Sequence, residues 1–147
     1  MKRLLPPVCF LIAILLTVAL HFLLPFRELI PFAWRLVGLL PLLLGIILNV
    51  LADHSLKRHK TTVKPFDASR ALVTEGVFRV SRHPMYLGMI LIIAGIAVLL
   101  GSLTPWFILP LLAVLLDARF IKIEESMLEA TFGEAYRAYK KQVRRWF

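Results

Sequence analysis

The length of its uncharged apolar runs constrains this chain more than any other feature. From Pro84 to Leu116 no charged residue occurs, and only the turn signal Gly101-Ser102-Leu103-Thr104-Pro105 divides the stretch. Two further runs precede it, Leu4–Leu24 and Leu36–Ala52. A run near 20 residues crosses a bilayer core of ~30 Å. With 147 residues, 59% of them hydrophobic, and a mean hydropathy of +0.79, the chain is too apolar for a soluble domain of its length. The expected fold is an all-α integral membrane protein, one domain over 1–147.

Four spans are expected, at about 4–24, 32–51, 85–101 and 105–118, with a polar loop over 54–82 and a tail over 119–147. Pro41 predicts a kink in the second. The first run has Lys2 and Arg3 ahead of it, as a signal peptide would. His21, Phe22 and Pro25 stand where a small-residue cleavage site is needed, so a retained helix is expected. All but Arg27 and Arg35 of the 18 Lys and Arg residues fall in the N-terminus, the loop or the tail. The positive-inside rule then places both termini in the cytoplasm. A bacterial inner membrane is the expected location. The net charge of +9 is assigned to loops facing anionic lipid, with no nucleic acid expected as partner. The lone Cys9 excludes a disulfide within the chain. Past the last span, helix is expected to continue to Phe132 and stop at Gly133. A final amphipathic helix is expected over about Glu134–Val143.

Two polar clusters flank the Pro84–Leu116 stretch. Before it stands Arg79-Val80-Ser81-Arg82-His83-Pro84-Met85-Tyr86-Leu87-Gly88. Pro84 suits the first position of a helix and puts His83 near its N-cap. The free amides there, with Arg79 and Arg82, favour an anion. The alternative is a plain interfacial anchor. After the stretch come Arg119, Glu124 and Glu125, which a hairpin returns to the same surface. Adjacent glutamates point about 100° apart on a helix, so one would face a site and the other solvent or Lys122. Phe132, Tyr136 and Tyr139 share a helix face, as packing, an interfacial belt or a lid. His54, His59 and His83 lack the spacing of a helical metal pair, and no metal is expected.

The string from Ser81 to Gly88, the apolar hairpin, Glu124-Glu125 and the tail Phe132-Gly133-Glu134-Ala135-Tyr136-Arg137-Ala138-Tyr139-Lys140-Lys141 resembles the isoprenylcysteine carboxyl methyltransferase family, related to the phospholipid methyltransferases. The resemblance runs from about Thr61 to Phe147, including Lys64-Pro65 and Gly76-Val77-Phe78-Arg79, in a short, bacterial-type form. Spans one and two carry no specific match. Where many relatives have Val-Pro-Arg, this chain has Val143-Arg144-Arg145.

The resemblance implies a membrane methyltransferase that uses S-adenosylmethionine and a lipidic acceptor reached from the bilayer. Carried over by position, Arg82, His83, Tyr86, Gly88, Glu124, Glu125, Tyr136, Tyr139 and Arg145 would bind the cofactor. Arg119 and Glu124 would be catalytic, Arg119 by holding an acidic acceptor group. A carboxylate, thiol or amine acceptor all stay open. So do two other function classes: a non-enzymatic four-span protein that binds lipid or a partner, and a His-ligated metal or redox protein.

Overall fold

The computed structural model describes residues 5–60 and 71–147; Lys2, Arg3, Leu4, Lys64, Pro65 and Arg70 lie outside the described residues. Six α-helices are described: α1 (Pro6–Leu23), α2 (Leu39–Arg58), α3 (Pro84–Leu100), α4 (Ile108–Leu116), α5 (Lys122–Phe132) and α6 (Glu134–Gln142). A 3₁₀ stretch, Phe32–Gly38, leads into α2, and another, Thr104–Phe107, leads into α4. A π-helical turn, Asp117–Ile121, joins α4 to α5. No strand occurs among the described residues beyond an isolated bridge between Glu28 and Ser102.

By length and composition, Pro6–Leu23 and Phe32–Arg58 are long and apolar enough to cross a membrane. Helix α3 is apolar but has 17 residues. Pro41, expected to kink the second span, lies in the first turn of α2, directly after the 3₁₀ stretch, where a missing amide donor costs least. Gly133, at φ +52°, ends α5 as expected.

The four long elements alternate in direction. The end of α1 meets the end of α3, where His21 Nδ1 lies 2.8 Å from Ser102 Oγ and Thr104 Oγ1 donates to the Leu20 carbonyl at 3.2 Å. The backbone of 24–31 is tied to the same turn: Leu29 and Ile30 donate to the Gly101 carbonyl, and Leu103 donates to that of Arg27. These bonds satisfy peptide groups that would be costly to leave unpaired in an apolar setting. Along α1, Cys9 and Ala13 join Tyr86, Met89, Ile93, Ile108, Leu112, Leu116, Phe120 and Ile121 in one core.

Helices α2 and α3 are antiparallel and in backbone contact. Gly38 faces Gly95, and Gly45 faces Gly88. The seven-residue spacing on both segments keeps the small residues on one seam, as in close crossings of membrane helices. A Cβ at Gly45 would stand 2.5 Å from the Gly88 carbonyl oxygen, and one at Gly88 would stand 2.1 Å from Asn49 Nδ2. Leu40, Leu43, Leu44, Ile47 and Val50 stay exposed on α2, as do Phe107, Leu111 and Val114 at the start and along α4. Such a surface suits lipid rather than water.

The carbonyl facing Gly45 is backbone and cannot swing aside. Gly45→Val should therefore destabilise the fold by about 1–3 kcal/mol or more, while Val50→Ala on the exposed face should change little. Thermal unfolding of both variants in detergent checks this.

Candidate active site

The site forms where the start of α3, the start of α5 and the tail after α6 converge. Phe78 belongs to a short 3₁₀ turn, Gly76–Arg79. It packs with Val73 and Ala52, which docks this segment on the end of α2. Ser81 follows and is 1% exposed. Its hydroxyl donates to the Arg145 carbonyl at 2.9 Å and accepts from the His83 amide at 3.1 Å. The Arg82 amide donates to the Arg144 carbonyl at 3.1 Å. Tyr139 completes the tie, its hydroxyl donating to the Phe78 carbonyl at 2.5 Å. The tail is thus fastened to the segment that opens α3.

Pro84 is the first residue of α3 and His83 its N-cap, as expected. The His83 ring lies between the two glutamates, with Nδ1 3.6 Å from Glu124 Oε2 and Nε2 3.4 Å from Glu125 Oε1. Tyr86 stacks on it with ring centroids 5.8 Å apart and donates its hydroxyl to Glu124 Oε1. Glu125 is 5% exposed. Arg82 Nη2 is 3.1 Å from Glu125 Oε1. Arg145 holds the same carboxylate with Nε at 3.1 Å and Nη2 at 2.6 Å, while its Nη1 donates to Asp117 Oδ1 at 2.8 Å.

Both glutamates therefore turn inward, and Lys122 faces Asp117 at 3.6 Å instead. The 100° between neighbouring positions is spanned by a ring that offers a nitrogen on each edge.

Charge states follow from this surround. Burial alone would lift the Glu125 carboxyl. The close approach of His83, the hydrogen bonds from Arg145 and the charges of Arg82 and Arg145 outweigh it and hold the pKa at about 2. Burial alone would make His83 less basic, but Glu124 and Glu125 more than reverse this and raise its pKa. Tyr136 is pushed up to about 12, by burial first and the Glu125 charge second.

Several donors in this cluster have no acceptor. Arg82 Nε and Nη1 and the Tyr136 hydroxyl are buried without a hydrogen-bond partner, and His83 Nε2 meets Glu125 without hydrogen-bond geometry. The Arg82 side chain is 8% exposed and Tyr136 is fully buried. A buried donor left unmade costs about 1–3 kcal/mol, more when charged.

The structure thus brings together Arg82, His83, Tyr86, Glu124, Glu125, Tyr136 and Arg145. Gly88 points elsewhere, into the seam with α2. Tyr139 fastens the tail. Arg119 is exposed and makes no ion pair among the described residues. Asp117, absent from the sequence expectations, joins the network through Arg145. On an unbroken α-helix it would lie about 80° away from Glu125, so no pattern links them. Asp117 also lines an open cleft of about 310 Å³, with Ala113, Val114, Ala118, Lys122 and Trp146.

The family described as "Phospholipid methyltransferase" matches residues 34–135, so the likeness extends into α2, beyond the region expected from the motifs. The chain is 33% identical over 72 residues to the protein-S-isoprenylcysteine O-methyltransferase of Schizosaccharomyces pombe, which covers 49% of this chain and 30% of the relative. A probable protein-S-isoprenylcysteine O-methyltransferase of Oryza sativa is 29% identical over 109 residues, covering 73% of this chain and 57% of the relative. The chain thus spans less than two thirds of each. Among solved structures it is similar to the eukaryotic intramembrane Ras methyltransferase ICMT (isoprenylcysteine carboxyl methyltransferase), with TM-score 0.71 and 26% identity, covering 96% of this chain and 51% of that one. This chain belongs to the phospholipid methyltransferase family and groups there with the isoprenylcysteine carboxyl methyltransferases.

Proposed function

We propose that this chain is a membrane-embedded methyltransferase that uses S-adenosylmethionine to methylate a lipidic acceptor. Family membership supports the reaction class. The observation that carries the cofactor is the set of buried donors without acceptors on Arg82 and Tyr136, beside the ionised Glu125. S-adenosylmethionine brings the complementary groups: a carboxylate and ribose oxygens for those donors, and an ammonium and ribose hydroxyls for Glu124 and Glu125. When bound, it supplies an electrophilic methyl group on a sulfonium.

The chain's own part is positioning, since methyl transfer is an in-line displacement. Arg82, Glu125 and Tyr136 hold the polar ends. Tyr86 and Phe120, with ring centroids 6.4 Å apart, wall the site against water. Glu124 and Glu125 raise the basicity of His83 against the opposing effect of burial and so favour its protonated, donating form. Glu124 is then the group placed to take a proton from an amine acceptor. A carboxylate acceptor needs no base, and Arg119, exposed on the π turn, is free to hold it.

Alternating helix direction and the placement of basic residues support four crossings, with both termini and the site on the cytoplasmic side of a bacterial inner membrane.

Calorimetric titration of the detergent-solubilised protein with S-adenosylhomocysteine should show one site per chain, weakened at least about tenfold by Glu125→Gln. A well-folded protein that binds nothing would sink the proposal in favour of a lipid- or partner-binding protein. Arg119→Ala should leave this affinity within about twofold and lower only the transfer of labelled methyl to membrane lipid.

The pH dependence has a definite sign. His83, with a folded pKa above 6.5, contributes stability that is complete below 6.5 and disappears as pH rises through the folded value. Glu125, lowered from 4.5 to about 2, contributes stability above 4.5 that is lost as pH falls toward 2. Thermal midpoints should therefore decline above about pH 6.5 in the wild type, and His83→Gln should flatten that alkaline limb while leaving the acid limb.

A further inference from the structure

The π turn Asp117–Ile121 has no counterpart among the other described helices. Such turns are uncommon and recur at functional sites. Here the extra residue has a definite geometric result. Asp117 and Glu125 are eight positions apart. At 100° per residue their directions differ by about 80°; with one residue absorbed by the π turn, the separation falls to about 20°. Both carboxylates then lie on one face, and a single guanidinium reaches both. Arg145 does so, with Nη1 at 2.8 Å from Asp117 and Nη2 at 2.6 Å from Glu125.

We infer that Asp117 is a positioning residue: it anchors Arg145 so that the guanidinium meets Glu125 with two nitrogens and fixes that carboxylate for cofactor binding. This rests on reading the cluster as a cofactor site.

The division of contacts favours this role over a purely stabilising one. The Arg145–Asp117 pair is 32% and 26% exposed at its side chains. Partly exposed pairs are screened and contribute little to stability. Asp117 itself makes no hydrogen bond or ion pair with Arg82, His83 or Tyr136; its other oxygen faces Lys122 at 3.6 Å. What it does control is the rotation of Arg145. Nε and Nη2 lie on one edge of the guanidinium and Nη1 on another. Anchoring Nη1 therefore orients the edge that Glu125 receives. Glu125 Oε1, which accepts from Arg145 Nε, also lies within reach of Arg82 and His83.

Titration with S-adenosylhomocysteine in detergent tests the inference by a mutant cycle. Asp117→Asn keeps the shape and removes the charge. It should weaken binding about five- to twentyfold, and Asp117→Glu should recover part of the loss. In an Arg145→Met background, already weakened, adding Asp117→Asn should change affinity by less than about twofold, because the anchor acts only through Arg145. Thermal midpoints run in parallel identify any variant that fails to fold. Arg145→Lys, which retains charge but not the two-edged geometry, then replaces Arg145→Met as the background, with the same expectation. Unchanged affinity in Asp117→Asn, or its full effect persisting in the Arg145 variants, would overturn the inference while leaving the cofactor reading intact. Absence of binding by the folded wild type would overturn both.

Discussion

A carboxylate taken out of water needs positive charge close by, and Glu125 is met by three basic side chains from two separate parts of the chain. Arg82 and His83 come from the entry to α3, and Arg145 comes from the tail. An uncompensated charge in that position would cost several kcal/mol. The requirement to surround one buried carboxylate therefore governs where the tail lies, how α5 is rotated and which way the segment before α3 turns. Ser81 and the Arg82 amide serve the same end by fixing the tail backbone within hydrogen-bond distance.

The apolar framework sets the distances within which this can happen. Backbone contact between α2 and α3 fixes α3, and the core around Ile93, Leu112 and Leu116 fixes α4 against it. The π turn then adjusts the rotation of α5 so that Glu124 and Glu125 both face His83. Framework and site are thus linked at two joints, Pro84 and Asp117.

What depended on local chemistry was legible in the sequence. Pro84 announced a helix start with His83 as its cap, Gly133 announced a stop, and the apolar runs marked α1, α2 and α3. What depended on tertiary geometry was not. Gly88 stood in a motif that suggested a ligand, yet its neighbours are Asn49 and Gly45 on another helix. Tyr139 looked like Tyr136 from its spacing, but one is hydrogen-bonded to the Phe78 carbonyl while the other has a buried hydroxyl without partner. Asp117 carried no signal, because the π turn that aligns it with Glu125 breaks the periodicity on which helical patterns rest. Arg119 shared its polarity with the glutamates, but the same turn leaves it outside the cluster.

The glycine seam has a consequence for traffic within the bilayer. Where the backbones of α2 and α3 touch, from Gly38 against Gly95 to Gly45 against Gly88, no gap is wide enough for a hydrocarbon chain. That flank is closed to lateral passage. A lipid that travels sideways to the cluster has to take another flank, so the small residues act as a one-sided barrier as well as a hinge-pin for the fold.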